Sequence, residues 1–280
     1  MKKKKFNDVS FILAVFILTM ILVSGIMATF ITPYNPFQPD MLHRLQSPSI
    51  EHWFGTDVLG RDLFSRILFG SRSTIFLALL SSFLPLLLGT LIGTLAGYYG
   101  KRIDSFVVLL SNVFQGIPST CFMIAIVGFL GPSLSSLLLG FLLTSWVGFS
   151  RIIRAEVLKM KEEAFVEGLI CIGCSDFRIV FFHIIPNIFN SLLVLGTLRI
   201  GRSILSLAGL SFLGLGVQPP MPDWSVMVSD AILYYRSYPH LILIPGCSIF
   251  FLVYSINIIG ETLGDFLDVR IDEVRKCRGL

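Results

Sequence analysis

Between Ser105 and Ser150 the chain runs for 46 residues without one charged side chain. No water-facing surface can be made from such a stretch, and it is too long for one helix. A helix rises about 1.5 Å per residue, so crossing about 30 Å of hydrocarbon takes roughly 20 apolar residues. Gly116–Pro118 interrupts the stretch early and Gly131-Pro132 makes a reversal, which divides it into spans over 105–130 and 133–152. Further uncharged runs cover Val9–Thr32, Ser73–Gly100 and Leu241–Gly260. Asn187–Phe212 is as apolar except for Arg199 and Arg202. In lipid only a helix or a closed barrel satisfies its own backbone. The expected fold is therefore an all-α polytopic membrane protein with six transmembrane helices. Composition agrees, because 14% charged residues, against about 25% in soluble domains, cannot coat a globule.

Charge placement orients the spans. Met1–Lys5 is a basic tail ahead of the first run. A signal peptide shares that order, but this apolar core exceeds the usual 7–15 residues and no small-residue cleavage site follows. An uncleaved first span with a cytoplasmic N-terminus is expected over 1–32, followed by an extracytoplasmic, proline-rich connector at 33–72. Spans follow at about 73–98, 105–130, 133–152, 187–212 and 241–260, with a cytoplasmic loop at 153–186 and a cytoplasmic tail at 266–280. On this topology 15 of the 22 Lys and Arg residues fall inside and five fall outside (Arg44, Arg61, Arg66, Arg72, Arg236), the bias of the positive-inside rule. Both termini are expected in the cytoplasm.

Several function classes drop out. There is no G-x-x-x-x-G-K-[ST] loop, so the chain is not expected to hydrolyse nucleotide itself. Five cysteines are an odd number, and Cys171–Cys174 is a lone C-x-x-C without a second pair, which reads as chance. The four histidines (His43, His52, His183, His240) fall in loops or at span ends, where surface or interface roles are expected rather than ligation. No paired acids, Ser/His set or HExxH lies in the spans, so no enzyme chemistry is expected. No metal site, no cofactor held by this chain and no nucleic acid are expected.

Three polar features remain. In the connector, Gly55-Thr56-Asp57-Val-Leu-Gly60-Arg61-Asp62 carries charges able to pair with one another and hold a turn, next to Trp53 and Phe54 at interface depth. Gly89, Gly93 and Gly97, four apart, make a ridge that lets another helix approach closely. Arg151–Pro186 is a polar island with mixed charges at helical spacing, read as one or two short surface helices. Gly173 there supplies a helix stop and Ser175-Asp176 a new N-cap.

The island resembles the Glu-Ala-Ala loop of bacterial ABC importer permeases through Glu167, Gly173 and Pro186, with Gly168 and Leu169 in place of the two alanines. The G-T-D-x-x-G-R-D block is similar to the signature of the C-type permease subunit of peptide and nickel ABC importers. Gly97-Tyr-Tyr-Gly100 with Asp104, Arg154-Ala-Glu156, Gly173-Cys-Ser-Asp176, His183–Asn187, Ser211–Val217 with Pro219-Pro220, and Asn257 with Gly260 agree in family order over roughly 33–270. Departures are Ser225 after Trp224, Phe182 before His183 and Glu261 after Gly260. The resemblance implies the type I ABC importer permease fold, with its domain at 73–265, in a bacterial cytoplasmic membrane. It implies a second homologous permease subunit, two cytoplasmic ATP-binding subunits that use ATP-Mg, and an extracytoplasmic substrate-binding protein. It also implies a coupling helix around Glu163–Ile172 that docks on an ATPase, with Glu163, Glu167 and Gly168 in it and Gly173 and Pro186 as flex and boundary points. Arg44–Pro48, Leu193–Leu198, Ala208–Leu213, Trp224–Met227 and Asp230-Ala231 lean to the nickel branch. Nickel, as a chelate, is the expected cargo, with dipeptides or oligopeptides the alternative.

Arg199 and Arg202 stand three apart inside a span and share a helix face. A charge there normally faces protein or water. One reading pairs them with acids of a partner subunit. The other has them line the translocation pathway and favour an anionic cargo.

Overall fold

The computed structural model describes the backbone of residues 8–277 and the side chains of residues 8–267. The expected basic tail at Lys2–Lys5, and most of that at 266–280, lie outside the described side chains. Among the described residues the secondary structure is helical, with one isolated bridge between Thr56 and Asp62. Five helices are long and apolar enough to cross a membrane, and a bent pair supplies a sixth crossing if counted as one.

Helix α1 (Val9–Ile26) ends where Arg72 donates from Nε to the carbonyl of Gly25 and from Nη2 to that of Ile26 (2.5 and 2.8 Å). Both carbonyls lie in the last turn, where backbone donors run short, so the guanidinium ties the end of α1 to its neighbour. That neighbour, α2 (Leu63–Tyr99), starts ten residues before the expected span. Asp62 caps it, accepting from the Ser65 N–H at 2.8 Å, so Arg66 and Arg72 lie on the helix and not in the connector. The expected single span at 105–130 is two helices, α3 (Lys101–Gly116) and α4 (Ser119–Leu130), bent by 83°. Ile117-Pro118 breaks it, because proline excludes helical geometry at the residue before it and lacks a donor.

Helix α5 (Leu134–Lys161) opens with a capping box between Ser133 and Ser136. It runs nine residues past the expected end, so Arg151–Lys161 is its last turns and not a separate surface helix. The short α6 (Ala164–Cys171) follows. Gly173 then takes φ +77°, which a side chain would strain, and α7 (Asp176–Phe212) begins eleven residues before the expected start. Ser175 occupies the N-cap position, yet its side chain makes no capping bond. A π turn at Val180–Ile184 precedes Pro186. Next come α8 (Trp224–Ala231) and α9 (His240–Cys277), the latter continuing well beyond Gly260. These overruns share one cause. Apolarity fixes the least length a span needs, whereas a helix once begun continues until a cap or breaker stops it.

The α2–α5 pair is the closest packed. A Cβ on Gly89 would meet Phe149 Cβ at 2.5 Å, on Gly93 the Ser150 carbonyl oxygen at 2.5 Å, and on Gly97 Val157 Cβ at 2.9 Å. Helices α7 and α9 exchange small and large residues likewise, with Gly201 under Asn257 and Gly260 under Thr197. Ser82 and Ser203 share a buried hydrogen bond of 2.9 Å between α2 and α7. Buried clusters form around Trp224, Leu63 and Leu241 at one end, and around Tyr98, Ile153, Val157 and Ile179 at the other. A third joins α4 and α5 through Val127, Leu137 and Phe141. The outward faces carry exposed Phe, Leu and Ile side chains, such as Phe83, Leu87, Leu91 and Phe250, which is the surface a lipid-facing bundle requires.

Candidate functional site

At one end of the bundle the G-T-D-x-x-G-R-D block folds into a closed loop. Gly55 and Gly60 have φ +79° and +76°, and a Cβ on Gly60 would fall 1.6 Å from the Asp40 carbonyl oxygen. Thr56 Oγ1 donates to the His43 carbonyl and accepts from the Gln46 N–H. Asp57 Oδ1 accepts from the Leu59 and Arg61 N–H groups, and its Oδ2 pairs with Arg61 Nε at 2.7 Å and Arg66 Nε at 3.3 Å. Arg66 Nη1 also donates to the Pro36 carbonyl. Asp62 caps α2 with one oxygen and meets His52 Nδ1 with the other at 2.9 Å. His52 is therefore buried and bonded, contrary to the expected surface role. Its burial follows from the capping aspartate, which needs a partner for its second oxygen.

Beside this loop lies a cluster that sequence reasoning missed. Asp223 is buried; it accepts from Thr74 Oγ1 at 2.7 Å and from the Ser225 N–H at 2.9 Å. Trp224 Nε1 donates to the Ile67 carbonyl. Burial pushes the Asp223 carboxyl above the usual carboxylate range, against the opposing pull of those hydrogen bonds. An Asp just ahead of α8 is a local N-cap signal, whereas only the fold brings Asp223 to Thr74.

At the opposite end α6 stands between α5 and α7. Its Val166 is fully buried, while Phe165, Ile170 and Ile172 are exposed together with Glu167, Gly168 and Gly173. Glu163 is the N-cap residue and is half-buried. Pro186 is exposed, beyond the π turn. An apolar face raised on a charged segment is costly in water and suits a protein partner. Nearby, Arg154 forks both guanidinium arms onto the carboxylate of Asp104, joining α3 to α5. Both residues lie in the quoted blocks, but their pairing was not foreseen.

In mid-bundle Arg199 is half-buried, its guanidinium 5.1 Å above the Phe149 ring. Gly148 leaves it room, since a Cβ there would lie 2.3 Å from Arg199 Nη2. Arg202 is exposed. Among the described residues neither forms an ion pair with an acidic side chain, and no group of three or more His, Cys, Asp or Glu side chains gathers as metal ligands.

Residues 89–273 match the family described as binding-protein-dependent transport system inner membrane component. The chain belongs to this family. The match begins at the first glycine of the ridge and takes in α3–α8 and most of α9. This permease component is 38% identical over 270 residues to a dipeptide transport system permease protein of Alkalihalophilus pseudofirmus, covering 96% of this chain and 88% of that one. It is 36% identical over 259 residues to a glutathione transport system permease protein of Pectobacterium atrosepticum, covering 91% and 85%. A glutathione transport system permease protein of Escherichia coli is 38% identical over 261 residues, covering 92% and 85%. The permease component is thus a multi-pass protein of the bacterial cytoplasmic membrane and the membrane subunit of an ABC importer. The expected lean to nickel gains no support from these relatives, whose names concern peptides. The blocks that carried the lean sit in stretches that such relatives also cover.

Proposed function

We propose that this permease component imports short peptides, moving them by alternating access between itself and a second homologous permease subunit. Two cytoplasmic ATP-binding subunits hydrolyse ATP-Mg and dock on α6 through Phe165, Ile170 and Ile172, and an extracytoplasmic binding protein delivers cargo. Both termini are cytoplasmic in this reading, and the connector lies outside. The observation that carries the cargo class is the Arg199–Arg202 pair. Two cations in mid-bundle, without an acidic partner among the described residues, suit the free carboxylate of a peptide, and a bare metal dication would be repelled. The names of the relatives, concerned with a dipeptide and with glutathione, support the same class.

The test is uptake in a strain lacking the gene, with labelled di- and oligopeptides and glutathione compared with nickel, free or chelated. Loss of peptide or glutathione uptake is expected; loss of nickel uptake alone overturns the reading. In the complemented strain Arg199→Gln with Arg202→Gln is expected to lower uptake roughly tenfold or more, the scale of a lost charge-assisted contact. Assembly and basal ATP hydrolysis should be kept, and wild-type uptake by that variant removes the arginines from the pathway.

A further inference from the structure

One residue holds both ends of the segment that carries α6. Tyr98, in the last turn of α2, is buried. Its hydroxyl donates to Asp176 Oδ1 at 2.8 Å, and Asp176 is the first residue of α7. Its carbonyl accepts from Lys161 Nζ at 2.6 Å, and Lys161 is the last residue of α5. The same ammonium lies 5.3 Å from the centre of the Tyr98 ring. Between these two anchors the chain makes the excursion 162–175 that includes α6.

Tyr98 is itself firmly placed. Gly97 beside it is pressed against Val157 and the Arg154 carbonyl of α5, and Tyr99 meets its ring edge-on at 5.2 Å. Val166 of α6 and Ile179 of α7 pack in the same buried cluster as Tyr98. The left-handed Gly173 lies within the excursion, with no atom within 4 Å of the place a Cβ would take. It is the natural point for the backbone to give.

We infer that Tyr98 is a positioning residue of the transport cycle, a clamp that passes a displacement of α6 into α7 and the α2–α5 pair rather than letting Gly173 absorb it. The clamp rests on the reading of α6 as the ATPase-docking segment. The hydroxyl bond is the part that ties α7. Without it Lys161 still grips α2, but the entry to α7 is released and a push on α6 is spent in the turn.

The experiment uses the assembled transporter in proteoliposomes, with Tyr98→Phe, Asp176→Ala and the double variant. Tyr98→Phe keeps the ring under Lys161 and removes only the hydroxyl. Peptide taken up per ATP hydrolysed is expected to fall about three- to tenfold in each single variant, the scale of one hydrogen bond. The double variant should be no worse than the singles, because all three lose one contact. Without cargo, amide hydrogen exchange over 162–176 is expected to quicken in Tyr98→Phe while α2 and α5 keep wild-type protection. Unchanged uptake per ATP overturns the clamp, as do additive losses or unchanged exchange. If Tyr98→Phe does not assemble, Asp176→Ala carries the same readings. The exchange measurement needs no cargo, so it judges the clamp even where the wild type imports no peptide, an outcome that would sink the cargo reading by itself.

Discussion

Asp223 is an acid placed where acids are rarely left, buried between α2 and α8 with its oxygens accepting from Thr74 and Ser225. Desolvation dominates, and its carboxyl holds its proton more tightly than an exposed one would. The folded state therefore binds that proton more tightly than the unfolded chain. Stability from this group is complete below the ordinary carboxylate range and declines as pH rises through the elevated folded value. Thermal unfolding of the detergent-purified protein is expected to show it, with the wild-type midpoint falling relative to Asp223→Asn as pH rises across that interval. A difference independent of pH would mean the carboxyl is ionised throughout. Asp223 could have been read as the N-cap of α8, since it accepts from the N–H groups of Ser225 and Val226, but its burial against Thr74, 149 residues away, could not. Asp57, Arg61 and Asp62 were easier, since charges so close in sequence pair within one turn. Even there the partner of Asp62 is His52, which sequence spacing alone left at the surface.

Among the elements, α2 and α5 behave as one body. Three glycines at four-residue spacing put one face of α2 against the backbone of α5, so neither helix can slide without a clash. Gly93→Leu is expected to cost about 1–3 kcal/mol or more by overpacking, read as a lowered unfolding midpoint and less monodisperse protein. Gly128→Ala is the control, because no atom lies within 4 Å of its added methyl group. An equal effect of the two would refute the close approach. The ridge was legible because small residues repeat at helical spacing. The helix ends were not. Asp62 as a cap, Arg72 tying the end of α1 and the continuation of α5 through Arg151–Lys161 depend on partners that hydropathy does not see. The 83° break after Gly116 was visible as Gly and Pro in the chain, but its angle was not.

Across the whole molecule the polar loop of the connector and the segment that carries α6 sit at opposite ends of the bundle. Arg61 and Arg66 gather at the connector end, where Arg72 also holds the end of α1, while Lys161 meets Tyr98 at the α6 end. The proposed topology, argued from the count of Lys and Arg along the chain, puts the α6 end in the cytoplasm, and labelling tests it. In a cysteine-free background, Glu51→Cys is expected to react with an impermeant maleimide on intact cells and Glu167→Cys only after permeabilisation. Both positions are exposed, and the opposite pattern would invert the topology. Cysteine removal matters because Cys171 itself lies exposed on α6.

The π turn at Val180–Ile184 sits between α6 and the two arginines of α7. Each residue of an α-helix turns the next by about 100°, and a π turn holds one residue more than the α-helix it interrupts. The extra residue is absorbed within that turn, so cutting one residue from it would restore plain helix and leave Arg199 facing Phe149 and the gap at Gly148. The same cut made in the plain helix between Ile185 and Arg199 would swing everything beyond it by about 100°. The compass bearing of both guanidinium groups thus tolerates a lost residue in the π turn and no lost residue after it.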